Sequence, residues 1–188
     1  SAERLVLNVM QRMSAIATLT NKYVKALEGL NTKVLDTRKT TPLIRFLEKE
    51  AVRVGGGVNH RYGLYDMIML KDNHNDFSGG IEKSINKTIQ YLVENNLNLK
   101  IEVETRNLDE VKEVLKVGKI DRIMLDNFTY EQMRKAIQLI NGKYETEASG
   151  GINLKNVRKY AECGVDFVSV GALTHSICNM DLSLKAVK

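Results

Sequence analysis

The sequence predicts an α/β protein, an incomplete or open (β/α) barrel of six to seven parallel strands. Three observations carry this. Short apolar runs with polar ends alternate with segments of helical periodicity along most of the chain. The polar groups at the run ends, Arg38, Lys71, Glu104, Asp126, Ser149 and Gly171, stand 33, 33, 22, 23 and 22 residues apart, the rhythm of repeated strand–helix units. Helix start and stop signals fall between them, and successive units with right-handed crossovers make a parallel sheet.

In chain order, residues 2–28 carry Val6, Val9, Met10, Met13, Ala17, Val24 and Leu27 at a spacing near 3.6, with Gly29 as a stop, which predicts a long amphipathic helix. Arg4 lies in its first turn, where a cation opposes the helix dipole. The stretch Lys33 to Pro42 then reads as a buried strand whose exit holds an acid, hydroxyls and the pair Arg38-Lys39. Leu43 to Val54 has helical spacing and ends in Gly55-Gly56-Gly57, either a flexible connector or a place of close backbone approach. Asn59-His60-Arg61 follows, and Met67 to Leu70 is an apolar run leading into Lys71-Asp72-Asn73-His74.

From residue 79 onward Ile81, Ile85, Ile89, Leu92 and Val93 form a helix face, and Leu99 to Val103 a strand. Asn107 and Glu110 have capping-box spacing before a helix that Gly118 ends. Arg122 to Leu125 is a strand; Thr129 and Gln132 repeat the capping pattern, and Gly142 closes that helix. Tyr144 to Ala148 is a strand, Asn153 caps a helix ended by Gly164, and Phe167 to Val170 is the last strand.

At 188 residues and 43% hydrophobic content the chain can bury a core as one domain over 1–188. No apolar run approaches the roughly 18 residues that a membrane span needs, and Ser1-Ala2-Glu3-Arg4 is no secretory signal, so a cytoplasmic location without membrane contact is expected. The absence of an initiator Met suggests that a longer chain was processed or trimmed. Cys163 and Cys178 have no disulfide or metal-knuckle pattern and read as reduced structural thiols. The net charge of +5 is scattered, which disfavours nucleic acid and suits small anions.

Strand exits of such a sheet face one pocket, and here they are of three chemical kinds. Arg38, Lys39, His60, Arg61 and Lys71, with His74 and His175 as further candidates, are cationic. Converging cations repel by on the order of 1 to 4 kcal/mol per close pair unless an anion sits among them, so a multiply charged acid is implied. Glu102 and Glu104 alternate on one strand face; Glu104, with Asp126 at the next exit, is the candidate Mg²⁺ pair beside a phosphorylated substrate, and Glu102 is read as the partner of an interior Lys or Arg. Ser149-Gly150-Gly151 and Gly171-Ala172 offer backbone amides to phosphate at neighbouring loops.

Eight motifs in one order closely resemble the quinolinate phosphoribosyltransferase family, of type II phosphoribosyltransferase fold. They are Ala2-Glu3-Arg4, residues 13–18, Leu35 to Pro42, Gly55 to Arg61, Leu70 to His74, Met124 to Asn127, Ala148 to Ile152 and Val170 to His175. The resemblance implies conversion of quinolinate and phosphoribosyl pyrophosphate to nicotinate mononucleotide, CO₂ and pyrophosphate, with Mg²⁺, in NAD biosynthesis. By position it implies that Arg38, Lys39, His60 and Arg61 hold the quinolinate carboxylates and that Lys71 touches both substrates. Glu104 and Asp126 match the ribose and metal–pyrophosphate side. Ser149, Gly150, Gly151, Gly171, Ala172 and His175 match the phosphate loops. Arg4 matches an arginine that reaches into a neighbouring subunit's site, implying a homodimer or higher homo-oligomer. The family's additional N-terminal domain has no counterpart in 1–188, and Leu43 stands where the motif after Thr-Thr-Pro usually has glycine. The alternatives are a nicotinate phosphoribosyltransferase, a barrel aldolase using Lys71 as a Schiff-base amine, and an inactive barrel fragment.

Overall fold

The computed structural model describes residues 2–186. Six parallel strands form one sheet: β1 (Lys33–Leu35), β2 (Met67–Leu70), β3 (Lys100–Thr105), β4 (Arg122–Asp126), β5 (Glu145–Ser149) and β6 (Phe167–Ser169). Their spatial order is β1-β6-β5-β4-β3-β2, so the first strand pairs with the last. On the free side of β1, a single bridge from Leu35 to Val58 stands where another strand would lie. The barrel is therefore open between Val58 and β2, which gives the lower of the two expected strand counts.

Eight helices join or flank these strands: α1 (Ala2–Ala26), α2 (Arg45–Val54), α3 (Asp72–Ser78), α4 (Ile81–Glu94), α5 (Leu108–Val117), α6 (Tyr130–Ile140), α7 (Val157–Ala161) and α8 (Ala172–His175). Strand alternation sorts side chains to two faces. Ile101, Val103, Ile123, Leu125, Ala148 and Val168 meet Ile85, Val111, Val114, Met133, Ala136 and Val157 of the helices in the main core. Glu102, Glu104, Arg122, Met124, Glu145 and Glu147 take the alternate positions and turn to the barrel interior.

The predicted helix boundaries hold in part. Thr129 and Gln132 form the reciprocal capping box. At α5 the Asn107 side chain does accept from Asp109 N and Glu110 N, but Glu110 turns to Arg106 instead of closing the box. Asn153 opens a turn rather than a helix; the helix begins four residues later, at Val157. The sequence reading missed α3, whose Lys71 amide donates to His74 Nδ1. The glycine run is a close approach, not a connector. A Cβ at Gly55 would stand 2.5 Å from Ala17 O, and one at Gly57 2.8 Å from Thr20 Cγ2, so these positions let α2 lie against α1. Cys163 is buried, Cys178 is exposed, and neither is in a disulfide.

Two charged knots hold the helices to the sheet. Arg12 of α1 donates to Glu48 Oε1 of α2 (2.8 Å), to Thr41 Oγ1 (3.2 Å) and to Thr174 O (2.7 Å), and so joins the loops after the first and last strands. The other knot fills the barrel floor, where His60 Nε2 lies 2.9 Å from Glu102 Oε2 and 3.2 Å from Glu147 Oε2. Arg122 reaches Glu147 Oε2 at 3.2 Å and stacks over Phe167 at 4.2 Å. Glu102 was expected to pair with an interior Lys or Arg; its near partner is His60, with the Arg122 charge behind it.

Burial and the neighbouring Glu147 charge push Glu102 up to about 7. Burial pulls His60 down, but the two glutamates outweigh it and raise the ring to about 9. The Arg61 amide donates to His60 Nδ1 (2.7 Å), while Nε2 faces the two glutamates.

Two stability predictions follow from this packing. Leu43 is 95% exposed with φ 69°, the left-handed region that favours glycine. Leu43→Gly should raise stability by about 0.5–1 kcal/mol, read as a higher urea midpoint, since steric relief exceeds the extra freedom of the unfolded chain. His60→Ala leaves two buried glutamates facing each other and should cost about 3–5 kcal/mol. Adding Glu102→Gln should recover part of that loss in the same unfolding measurement, because one of the two like charges is gone.

Candidate active site

A cavity of about 800 Å³ opens at the C-terminal ends of the strands. Every predicted site residue except Arg4 and the further candidate His74 lines it: Arg38 and Lys39 after β1, His60 and Arg61 after the glycine run, Lys71 after β2, Glu104 and Asp126 on β3 and β4, and Ser149, Gly150, Gly151, Gly171, Ala172 and His175 after β5 and β6. Arg4 is exposed in the first turn of α1. His74 is absent from the lining and serves instead as the Lys71 amide's acceptor.

The cavity is divided by charge. On one side Arg38 and Arg61 are near neighbours. Burial, and after it the charge of Arg38, hold the Arg61 guanidinium below its ordinary value. Arg61 spends one nitrogen on Met67 O (3.2 Å), and Arg38 Nε is buried with no partner. His60 departs from the expected group of free cations. Its ring nitrogens face Arg61 N and the two glutamates, so it contributes to the floor and supports the Arg61 backbone instead of offering a free charge.

Behind these cations lies a buried pair that the sequence reading did not single out. Asp36, fully buried one residue beyond β1, accepts from Lys49 Nζ (2.6 Å), from Asn59 Nδ2 (2.6 Å) and from the His60 amide (2.8 Å). Lys49 of α2 also donates to His60 O (2.9 Å), and Asn59 Nδ2 to Lys49 O (2.9 Å). Burial pushes Asp36 up and Lys49 down, and in each case the partner's charge is the main force opposing the shift. A signal was present, since Lys49 sits among the buried positions of an amphipathic helix, where an unpaired lysine is rare.

On the opposite side Lys71 Nζ lies 3.2 Å from Glu104 Oε2, and Asp126 accepts from Asn127 Nδ2 at 2.7 Å. These two carboxylates are oxygen donors at adjacent strand exits, a set that suits a hard divalent cation such as Mg²⁺. Between the two sides, Gly150 and Gly151 adopt positive φ (94° and 60°). A Cβ at Gly150 would overlap the Asn127 side chain, so the loop passes close over the β4 exit only as glycine. Among the described residues the amides of Gly150, Gly151 and Gly171 donate to no group of the chain and are free to meet an anion. Sequence reasoning also missed Glu147, although Glu145 and Glu147 repeat the alternation that drew attention to Glu102 and Glu104.

The sequence model of the family described as "Quinolinate phosphoribosyl transferase, C-terminal domain" matches residues 16–185. Among curated relatives, quinolinate phosphoribosyltransferase (decarboxylating) 1b of Nicotiana tabacum is 48% identical over 198 residues, covering 98% of this chain and 56% of its own length. A probable nicotinate-nucleotide pyrophosphorylase (carboxylating) of Bacillus subtilis is 44% identical and covers 98% and 62%. The crystal structure of NadC from Streptococcus pyogenes superposes with a TM-score of 0.90 at 43% identity, over 99% of this chain and 64% of that one. The nicotinate-nucleotide pyrophosphorylase from Francisella tularensis does so with a TM-score of 0.91 at 45% identity, over 97% and 63%. The chain thus spans somewhat over half the length of the relatives it matches, and with its motifs, its open barrel and its divided cavity it belongs to the quinolinate phosphoribosyltransferase family.

Proposed function

We propose that this chain is the barrel domain of an enzyme that transfers phosphoribose from phosphoribosyl pyrophosphate to quinolinate with loss of CO₂, giving nicotinate mononucleotide and pyrophosphate. The observation that carries this reading is one cavity lined both by the neighbouring cations Arg38 and Arg61 and by Lys71 paired with Glu104, with Asp126 at the next strand exit. Two adjacent carboxylates suit the first, and a ribose bearing pyrophosphate suits the second.

In this reading Arg38, Lys39 and Arg61 hold the acid so that its ring nitrogen faces the ribose carbon. Lys71, beside Glu104, meets the developing charge of the leaving group. Glu104 and Asp126 would hold Mg²⁺, whose chemistry there is to neutralise pyrophosphate. The amides of Gly150, Gly151 and Gly171 cradle the 5′-phosphate, with Ser149, Ala172 and His175 around them. Breakage of the ribose–pyrophosphate bond leaves an oxocarbenium-like sugar that the nitrogen attacks. The ring then carries a positive charge beside the carbon that loses CO₂, so the protein's part is to position and to stabilise charge.

Lys71 is 49% exposed on its side chain and paired with Glu104, unlike the desolvated lysine that a Schiff-base aldolase needs. Arg4 belongs to the reading as a residue acting in trans in a homodimer; Leu5, Val6 and Met10 around it are half-exposed or more, as expected of a surface that another subunit covers. Mg²⁺ as cofactor, a single barrel domain over 1–188 and a cytoplasmic location are part of the same reading. No described helix is long and apolar enough to cross a membrane.

Two measurements on the full enzyme test the assignment of the two sides. Arg38→Met should narrow the quinolinate-over-nicotinate preference about tenfold to a hundredfold in competition titrations, because it removes a partner that only the dianion uses fully. An unchanged ratio counts against the dicarboxylate reading and favours a nicotinate enzyme. Asp126→Asn should raise the Mg²⁺ concentration needed for half-maximal turnover while leaving quinolinate affinity, titrated alone, within about twofold, since one charged metal ligand becomes a neutral one.

A further inference from the structure

We propose that Asp36, Lys49 and Asn59 are positioning residues that hold Arg38 and Arg61 side by side, so that the pair is set in advance for two carboxylates on adjacent ring atoms. This rests on the quinolinate reading and adds to it the source of the selectivity.

Arg38 and Arg61 arrive on different segments, one after β1 and the other after the glycine run. The charge of Arg38 acts on the Arg61 guanidinium, and two like charges so placed repel each other, so their segments need anchors elsewhere in the chain. The Leu35–Val58 bridge joins the segments through the backbone, and past it they are tied by the knot two residues behind Arg38 and one behind Arg61. Asp36 accepts from the His60 amide at 2.8 Å and from Asn59 Nδ2 at 2.6 Å, and Lys49 binds both Asp36 Oδ1 (2.6 Å) and His60 O (2.9 Å). Every donor and acceptor in this set belongs to the β1 exit, to α2 or to residues 59–60. Together with the backbone bonds from Asp36 N to Val58 O (3.2 Å) and from Val58 N to Val34 O (2.8 Å), these five bonds set the separation of the two segments, the Asn59 bond to Lys49 O (2.9 Å) closing the ring. None of the three side chains lines the cavity, so none can act by touching substrate.

A merely structural role predicts loss of stability and equal harm to both substrates. A positioning role predicts harm confined to the dicarboxylate. Asp36→Asn/Lys49→Met removes both buried charges together and avoids leaving one alone. In the full enzyme this double variant should raise the quinolinate KM on the order of tenfold to a hundredfold, the scale on which small misplacements act, with the phosphoribosyl pyrophosphate KM within about twofold. In an Arg38→Met background the same double change should add little, because the pair it aligns is already broken. Asn59→Ala, which touches no buried charge, should shift the quinolinate KM in the same direction by less, and it serves if the double variant does not fold.

Equal loss for both substrates, or the same loss with and without Arg38, overturns the proposal while leaving the enzymatic reading intact. A wild-type enzyme that neither binds nor turns over quinolinate overturns both.

Discussion

The structure depends on one electrostatic constraint: cations gathered for an anion must be held together by something other than the anion. The Asp36–Lys49 pair does this for the first two cationic segments, and the His60–Glu102–Glu147–Arg122 knot does it for the floor on which they stand. Both are buried, and their opposite charges face one another within the chain before any ligand arrives. Ion pairs so deeply buried contribute little net stability against apolar packing of the same volume. Their use here is geometric, since directional bonds fix angles and separations that apolar contacts leave free.

The division of labour between the faces of the sheet follows from the same constraint. Outward positions of β3, β4 and β5 are apolar apart from Thr105 and Thr146 and carry the hydrophobic core against α4, α5 and α6, so the interior positions are released from that duty. They hold Glu102, Arg122, Glu145 and Glu147 in paired registers across neighbouring strands. The three interior ligand atoms of His60, Glu102 and Glu147 lie within 4.8 Å of one another, close enough to suit a metal ion. Arg122 Nη1, 3.2 Å from Glu147 Oε2, supplies positive charge there.

Much of this was legible in the sequence, for reasons that differ by residue. Strand exits are local features: an apolar run that stops at a polar residue names the position, and the barrel topology brings such positions to one end. Arg38, Lys71, Glu104 and Asp126 were therefore found as cavity residues from spacing alone, and the Thr129–Gln132 box was found because both partners lie within one turn. What was not legible depends on partners far apart in sequence. His60 looks like a free cation until Glu147, 87 positions later, is folded beside it. Lys49 looks like a helix surface charge until Asp36 is placed behind it. Glu110 has the right spacing for a capping box but finds a stronger partner in Arg106, a competition that spacing cannot express. Arg4, exposed in the first turn of α1, does not line the cavity of its own chain.

The pairing of β1 with β6 has a kinetic side. Lys33 stands opposite Phe167, and Arg12 reaches the carbonyl of Thr174, so elements early in this sequence are completed by elements some 130 residues later. Contacts of such sequence separation form late, after their loop-closure entropy has been met. During synthesis the strand carrying Arg38 must wait, one edge unpaired, until some 130 further residues have emerged. The neighbouring bridge at Val58 and the α1–α2 packing through Gly55 and Gly57 give that early segment a local shelter in the interval. The glycine run is thus as much a device for surviving the ribosome as for shaping the finished barrel.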